Sequence, residues 1–293
     1  MRRLPLVTVD VFTTRPLQGN QLAVFTDAHG LSDAEMQSLA KEMNLSETTF
    51  IFTDDTKQAR ERGVPVRIFT VDEELPFAGH PTLGTAWVLQ RMNGAKQVDL
   101  ALKVGKIPVT FTKGAEGLFG EMTQQPPEFG QVHCKEEVAR AFGFEATDFD
   151  AELPIQTVST GVAFAIAPLR SLEVLRKLSF ELKRATAYLE KTDAKFMYFV
   201  CRNTEDASVR LRARMIFYNG EDPATGSAAG CAAAWMVRNG VAQPNEQVLI
   251  EQGAEVRRLS RIFVRAGKRG ETVENVRVGG YCAEVMRGEV VLQ

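Results

Sequence analysis

The chain has 293 residues, 44% of them hydrophobic and 25% charged, with 35 Lys and Arg against 37 Asp and Glu. It is long enough for more than one globular domain of about 100–150 residues, and a net charge of −2 gives no electrostatic case for nucleic acid or an anionic membrane as partner. No run approaches the ~18 apolar residues of a membrane helix, the N-terminus lacks the apolar segment of a signal peptide, and Cys134, Cys201, Cys231 and Cys282 are spaced against a zinc site or disulfide framework. The expected location is cytoplasmic.

Residues 7–13 alternate as a strand, Gly19-Asn20 makes a turn, and 21–26 reads as the next strand. Ser32 and Glu35 form a capping box, and Leu31 with Met36 a hydrophobic staple, for a helix running to about Met43. Segments 48–52 and 64–71 are β-branched and aromatic, as strands are. A very apolar helix over 82–92 ends at Asn93-Gly94. Gly and Pro accumulate over 117–129, which places the boundary between an N-terminal lobe of 1–118, completed by 280–293, and a C-terminal lobe of 119–279.

The second half repeats this order. Arg214, Gly226 and Arg238 lie 147 residues after Arg67, Gly79 and Arg91. The Gly161 segment follows the Gly19 segment at an offset of 142, 172–182 takes the place of the first helix, and 196–201 matches 48–53 at an offset of 148. A run of elements at a nearly constant offset reads as internal duplication. Residues 228–237, like 82–89, have almost no polar face, and a helix apolar all round must be buried on all sides. Each half's sheet is therefore expected to curl around its helix. The basic stretch 257–269 alternates its charges with Leu259, Ile262, Phe263 and Val264, predicting a strand with one solvated face.

Each central helix follows a Gly-containing polar turn, residues 77–82 and 220–227. Free N–H groups and the helix dipole make such a start an anion site. If the halves pack as a pseudo-two-fold pair, a small carboxylate fits between the two starts. The plainer alternative is that Ser227 and Thr82 are caps and Pro81 an ordinary first-turn residue. Glu47 sits where a helix gives way to an apolar strand. It is either a solvated strand-end residue or a general base whose pKa is raised by burial. His80 and Asp222 have bland alternatives too, a structural His after Gly and a turn-starting Asp before Pro.

The blocks Val9-Asp10-Val11-Phe12-Thr13, Gly19-Asn20, the 44–50 segment, the 74–82 segment and the 221–228 segment resemble, in order, the signature blocks of PhzF-like proteins, the phenazine-biosynthesis family of the diaminopimelate epimerase-like fold. The resemblance spans nearly the whole chain. It implies an α+β fold of two similar lobes, each a barrel-like, mostly antiparallel sheet around a central helix, with the site between them. It implies a cofactor-free, metal-free isomerase that shifts a proton on a small, cyclic, unsaturated anionic acid, and a homodimer. The family's acid/base glutamate matches Glu47, and its orienting histidine and aspartate match His80 and Asp222. Ser46, Gly79, Gly226 and Ser227 match substrate-contacting positions, and Asn20, Pro81, Thr82 and Thr225 are expected to bind substrate with them. Related epimerases carry a cysteine in each lobe's turn, where this chain has Ala78 and Thr225, which disfavours a two-cysteine mechanism. The competing reading is a small-molecule or partner-binding protein that keeps the fold without catalysis.

Overall fold

The computed structural model describes residues 1–53, 61–217 and 220–292. Its mixed α+β chain forms two compact units, Met1–Thr123 with Gly279–Gln293, and Gln124–Val278.

In the first unit the strand Arg2–Val11 lies antiparallel to both Asn20–Phe25 and the C-terminal strand Cys282–Leu292. Asn20–Phe25 then runs parallel to Glu47–Ile51, which is antiparallel to Val64–Phe69, and Val64–Phe69 is parallel to Gln97–Leu102. A parallel pair needs a crossover, and the first one contains the helix Asp33–Met43. Its N-cap Ser32 and Glu35 bond reciprocally as a capping box. Its Met36, Leu39 and Ala40 pack with Leu31, Phe25 and Phe50 in one apolar cluster.

The second unit repeats the order of strand senses. Ile155–Ser159 is antiparallel to Ala163–Leu169, which is parallel to Phe196–Cys201. Val209–Arg214 follows antiparallel, Val248–Gln252 parallel and Ser260–Arg269 antiparallel. On that last strand Ile262 and Val264 are buried, while Phe263 shares the outer face with Arg261 and Arg265.

Each unit holds one helix buried around its circumference. Gly79–Asn93 is buried at every position from Gly79 to Leu89 and touches Arg2–Val11, Asn20–Phe25, Glu47–Ile51, Gln97–Leu102, Gly105–Gly114 and Gly117–Thr123. Gly226–Arg238 is buried from Gly226 to Val237 and touches Ile155–Ser159, Ala163–Leu169 and Ser260–Arg269. No helix among the described residues is long and apolar enough to cross a membrane.

One sequence expectation fails here. The segment 172–182 is not a single helix but a short one, Leu172–Arg176, followed by a separate helix, Leu182–Leu189. Where the first of these ends, Arg214 Nη1 donates to the carbonyls of Leu175, Arg176 and Leu178 at 2.9, 3.1 and 3.2 Å and so caps it from a distant strand. The rest of this guanidinium grips Glu221 through Nε and Nη2 at 2.9 and 2.7 Å. The first unit has the same fork: Arg67 Nε and Nη2 hold Glu74 at 2.8 and 2.6 Å.

The two forks differ in burial. Side-chain exposures are 8% and 9% for Arg214 and Glu221, against 27% and 14% for Arg67 and Glu74. Removing one partner of a buried pair strands the other charge, whereas exposed pairs contribute little. Arg214→Leu is expected to destabilise by about 3–5 kcal/mol, and Arg67→Leu by about 1–2 kcal/mol, in urea unfolding followed by circular dichroism. Equal losses would show that burial does not set the difference.

Candidate active site

The period of the strand Glu47–Ile51 places its functional side chain. Phe50 points into the apolar cluster under the Asp33–Met43 helix. Thr49, on the opposite face, bonds Thr85 of the Gly79–Asn93 helix, hydroxyl to hydroxyl, at 2.8 Å. Glu47 shares the Thr49 face, and so points toward the start of that helix. It is buried at 7% exposure, not a solvated strand-end residue, and pairs in register with Leu22. Ser46 just before it is half-buried.

His80 stands in the helix's first turn at 3% exposure, with Nε2 3.5 Å from Glu47 Oε2. The Gln21 carbonyl lies 3.2 Å from Nε2 and can only accept, so Nε2 carries the proton. Nδ1 then accepts from Asn20 Nδ2 at 3.2 Å. Burial disfavours the imidazolium and pushes the pKa of His80 down to about 3. The group beside the carboxylate is thus a neutral imidazole with its N–H side turned toward the acid.

Neither central helix is capped as the sequence suggests. The N-caps are Ala78 and Thr225, and neither makes a side-chain cap bond. Thr82 lies inside the helix and returns its hydroxyl to the Ala78 carbonyl at 2.7 Å. Pro81 is buried within the same turn, and Ser227 is the second residue of its helix. Thr225 spends its hydroxyl on Asp222 Oδ2 at 2.6 Å instead of on the helix amides. Gly79 and Gly226 therefore open their helices without a side-chain cap from the residue before them, the arrangement that suits an anion.

Asp222 is buried at 7% exposure. Its backbone N–H bonds the Met215 carbonyl at 2.9 Å, and its carbonyl accepts from Gln252 Nε2 at 2.7 Å. Sequence reasoning missed Gln252, because a glutamine ending an apolar strand carries no motif. It also missed Gln124, whose Nε2 donates to the Gly226 carbonyl at 3.0 Å.

Ala78 and Thr225 leave no thiol in either turn. The nearest cysteine in sequence, Cys231, is fully buried, and burial pushes its thiol up to about 11. Among the described residues no group of three His, Cys, Asp or Glu is placed to hold a metal ion.

A family model described as phenazine biosynthesis-like protein matches residues 9–288. A trans-2,3-dihydro-3-hydroxyanthranilate isomerase from Pseudomonas chlororaphis is 33% identical over 290 residues, 98% of this chain and 99% of that protein. A phenazine biosynthesis protein of the PhzF family from Bacillus anthracis superposes with a TM-score of 0.88 at 27% identity, covering 100% of both chains. A probable proline racemase from Agrobacterium radiobacter shares the fold alone, with a TM-score of 0.67 at 11% identity over 99% of this chain and 93% of that one.

Two outcomes follow from the titrations. The folded pKa of His80 lies below its unfolded value of about 6.5, so its contribution to stability is complete above that pH and is lost as pH falls toward 3. Nitrogen-15 spectra at pH 6 are expected to show His80 as the neutral Nε2–H tautomer, and an imidazolium there would contradict the site described. Alkylation of accessible thiols is expected to leave turnover intact, since a buried, protonated Cys231 is inert. Loss of activity in step with Cys231 labelling, in protein still folded by circular dichroism, would overturn that.

Proposed function

The chain belongs to the phenazine biosynthesis-like family and is an isomerase of it, and we propose that it shifts a proton between two carbons of a small, cyclic, unsaturated carboxylic acid with Glu47 as the acid/base group. The observation that carries this reading is the buried Glu47 carboxyl facing a neutral imidazole N–H at 3.5 Å. The carboxylate takes a proton from an allylic carbon, the electron pair moves into the ring π-system, and the resulting carboxylic acid returns the proton to the far carbon on the same face. Nothing is oxidised, and the chemistry needs no group beyond the carboxyl. His80, its Nε2–H held by the Gln21 carbonyl, stays neutral beside the carboxyl and so leaves it free to cycle between its two forms. Ala78 and Thr225 supply no second base, which argues against stereoinversion by a thiol pair.

Substrate contact is assigned to the helix start at Gly79 in the first unit, with Asn20, Ser46, Pro81 and Thr82, and to the helix start at Gly226 in the second, with Thr225, Ser227 and the orienting Asp222. The two units are read as copies of one ancestral unit. The matched strand senses support this, as do the Arg67–Glu74 and Arg214–Glu221 forks, each residue of which recurs after 147 positions.

The test uses trans-2,3-dihydro-3-hydroxyanthranilate, the compound for which the Pseudomonas relative is named, with deuterium uptake from D₂O as the readout. Glu47→Gln keeps the shape but cannot cycle a proton, and is expected to lower kcat by at least about 10²-fold with little change in KM. A folded Glu47→Gln protein that turns over within about threefold of wild type would make the carboxylate structural and end this mechanism.

A further inference from the structure

The turn carrying Asp222 is organised by Gln252, a fully buried residue at the end of the strand Val248–Gln252. Its amide Oε1 accepts from the Thr225 backbone N–H at 3.1 Å and from the Tyr198 hydroxyl at 3.0 Å. Its Nε2 donates to the Asp222 carbonyl at 2.7 Å and to Thr225 Oγ1 at 2.9 Å. A primary amide has two acceptor and two donor positions, and all are used. Two of these partners are backbone groups whose roles are fixed, which settles which end of the amide is oxygen. Because Thr225 Oγ1 receives the Gln252 N–H, its own proton is directed elsewhere, and Asp222 Oδ2 lies 2.6 Å away. The donors run one way, from Gln252 through Thr225 to the Asp222 carboxylate.

We propose that Gln252 is a positioning residue of the reaction: its amide turns the Thr225 hydroxyl into a donor that holds the Asp222 carboxylate in place. This rests on the reading of Asp222 as a substrate-orienting group. Gln252→Glu keeps the shape and the Oε1 acceptor but replaces the N–H donor by a second acceptor. The Thr225 hydroxyl then swings toward it and leaves Asp222. Tyr198→Phe removes only one donor to Oε1.

In the deuterium-uptake assay, Gln252→Glu and Gln252→Leu are expected to lower kcat/KM at least about tenfold, mainly through KM, while Tyr198→Phe stays within about threefold of wild type. Thr225→Val is expected to reproduce the loss and Thr225→Ser to avoid it. Adding Gln252→Leu to Asp222→Asn is expected to cost less than about threefold more, since both act through one carboxylate. Without substrate, Gln252→Leu is expected to speed exchange of the Thr225 amide at least about tenfold by NMR, and Gln252→Glu, which keeps that acceptor, is not. A folded Gln252→Glu within about threefold of wild type, a full extra loss on the Asp222→Asn background, or unchanged Thr225 exchange in Gln252→Leu would overturn the relay. If the Gln252 variants do not fold, wild-type kcat/KM in Thr225→Val overturns it alone. Wild-type behaviour of Asp222→Asn would refute the role of Asp222 and the relay together. Impaired Asp222→Asn beside unimpaired Gln252 variants would refute only the relay.

Discussion

A helix without a polar face cannot lie on a protein's surface, and the rest of this molecule follows from meeting that constraint twice. Gly79–Asn93 and Gly226–Arg238 bury almost every side chain, so strands must approach each from several directions. Such strands cannot all be joined by hairpins. The alternation of antiparallel pairs with parallel ones, and the crossovers that parallel pairs demand, come with the wrapping. The first turn of such a helix still has backbone donors to satisfy. In both helices the residue before it is one whose side chain gives them nothing, Ala78 with no acceptor in its side chain and Thr225 with its hydroxyl oxygen taken by Gln252 and its proton by Asp222.

The same wrapping explains how a carboxyl group is kept away from water beside an imidazole. Burial costs a charged group far more than a neutral one. Neutral His80, fixed by the Gln21 carbonyl on one side and Asn20 on the other, stands beside the carboxyl without adding a charge to a dry place. An imidazolium in that position would hold the carboxylate ionised and blunt it as a base. The elements that crowd the helix thus also decide what stands beside the carboxyl group.

Much of this was legible in the sequence, and what was not has a common cause. Hydrophobic period, capping boxes and left-handed glycine ends are local signals, and they placed Asp33–Met43, the end of the first central helix at Gly94 and the strand Phe196–Cys201. The blocks that carry Glu47, His80 and Asp222 could be picked out because motifs are contiguous. The break after Arg176 was not legible, because the guanidinium that caps the helix end comes from 38 residues away. Nor were Gln252 and Gln124, whose partners lie 30 and 102 residues distant at Asp222 and Gly226. Polar groups that brace a buried turn are chosen for reach across the fold, and reach leaves no trace in local spacing.

Gln124 also ties two distant positions to one history. It lies so close over Gly230 that a β-carbon there would fall 1.8 Å from its Oε1, and it holds both the Gly226 carbonyl and the Thr160 hydroxyl, the latter at 2.6 Å. A side chain gained at 230 would displace the amide end of Gln124, and with it the bonds to the Gly226 carbonyl and the Thr160 hydroxyl. The bare glycine is what lets the glutamine stand where it does. A lineage that lost the pair would have to find another way to fasten the carbonyl of Gly226.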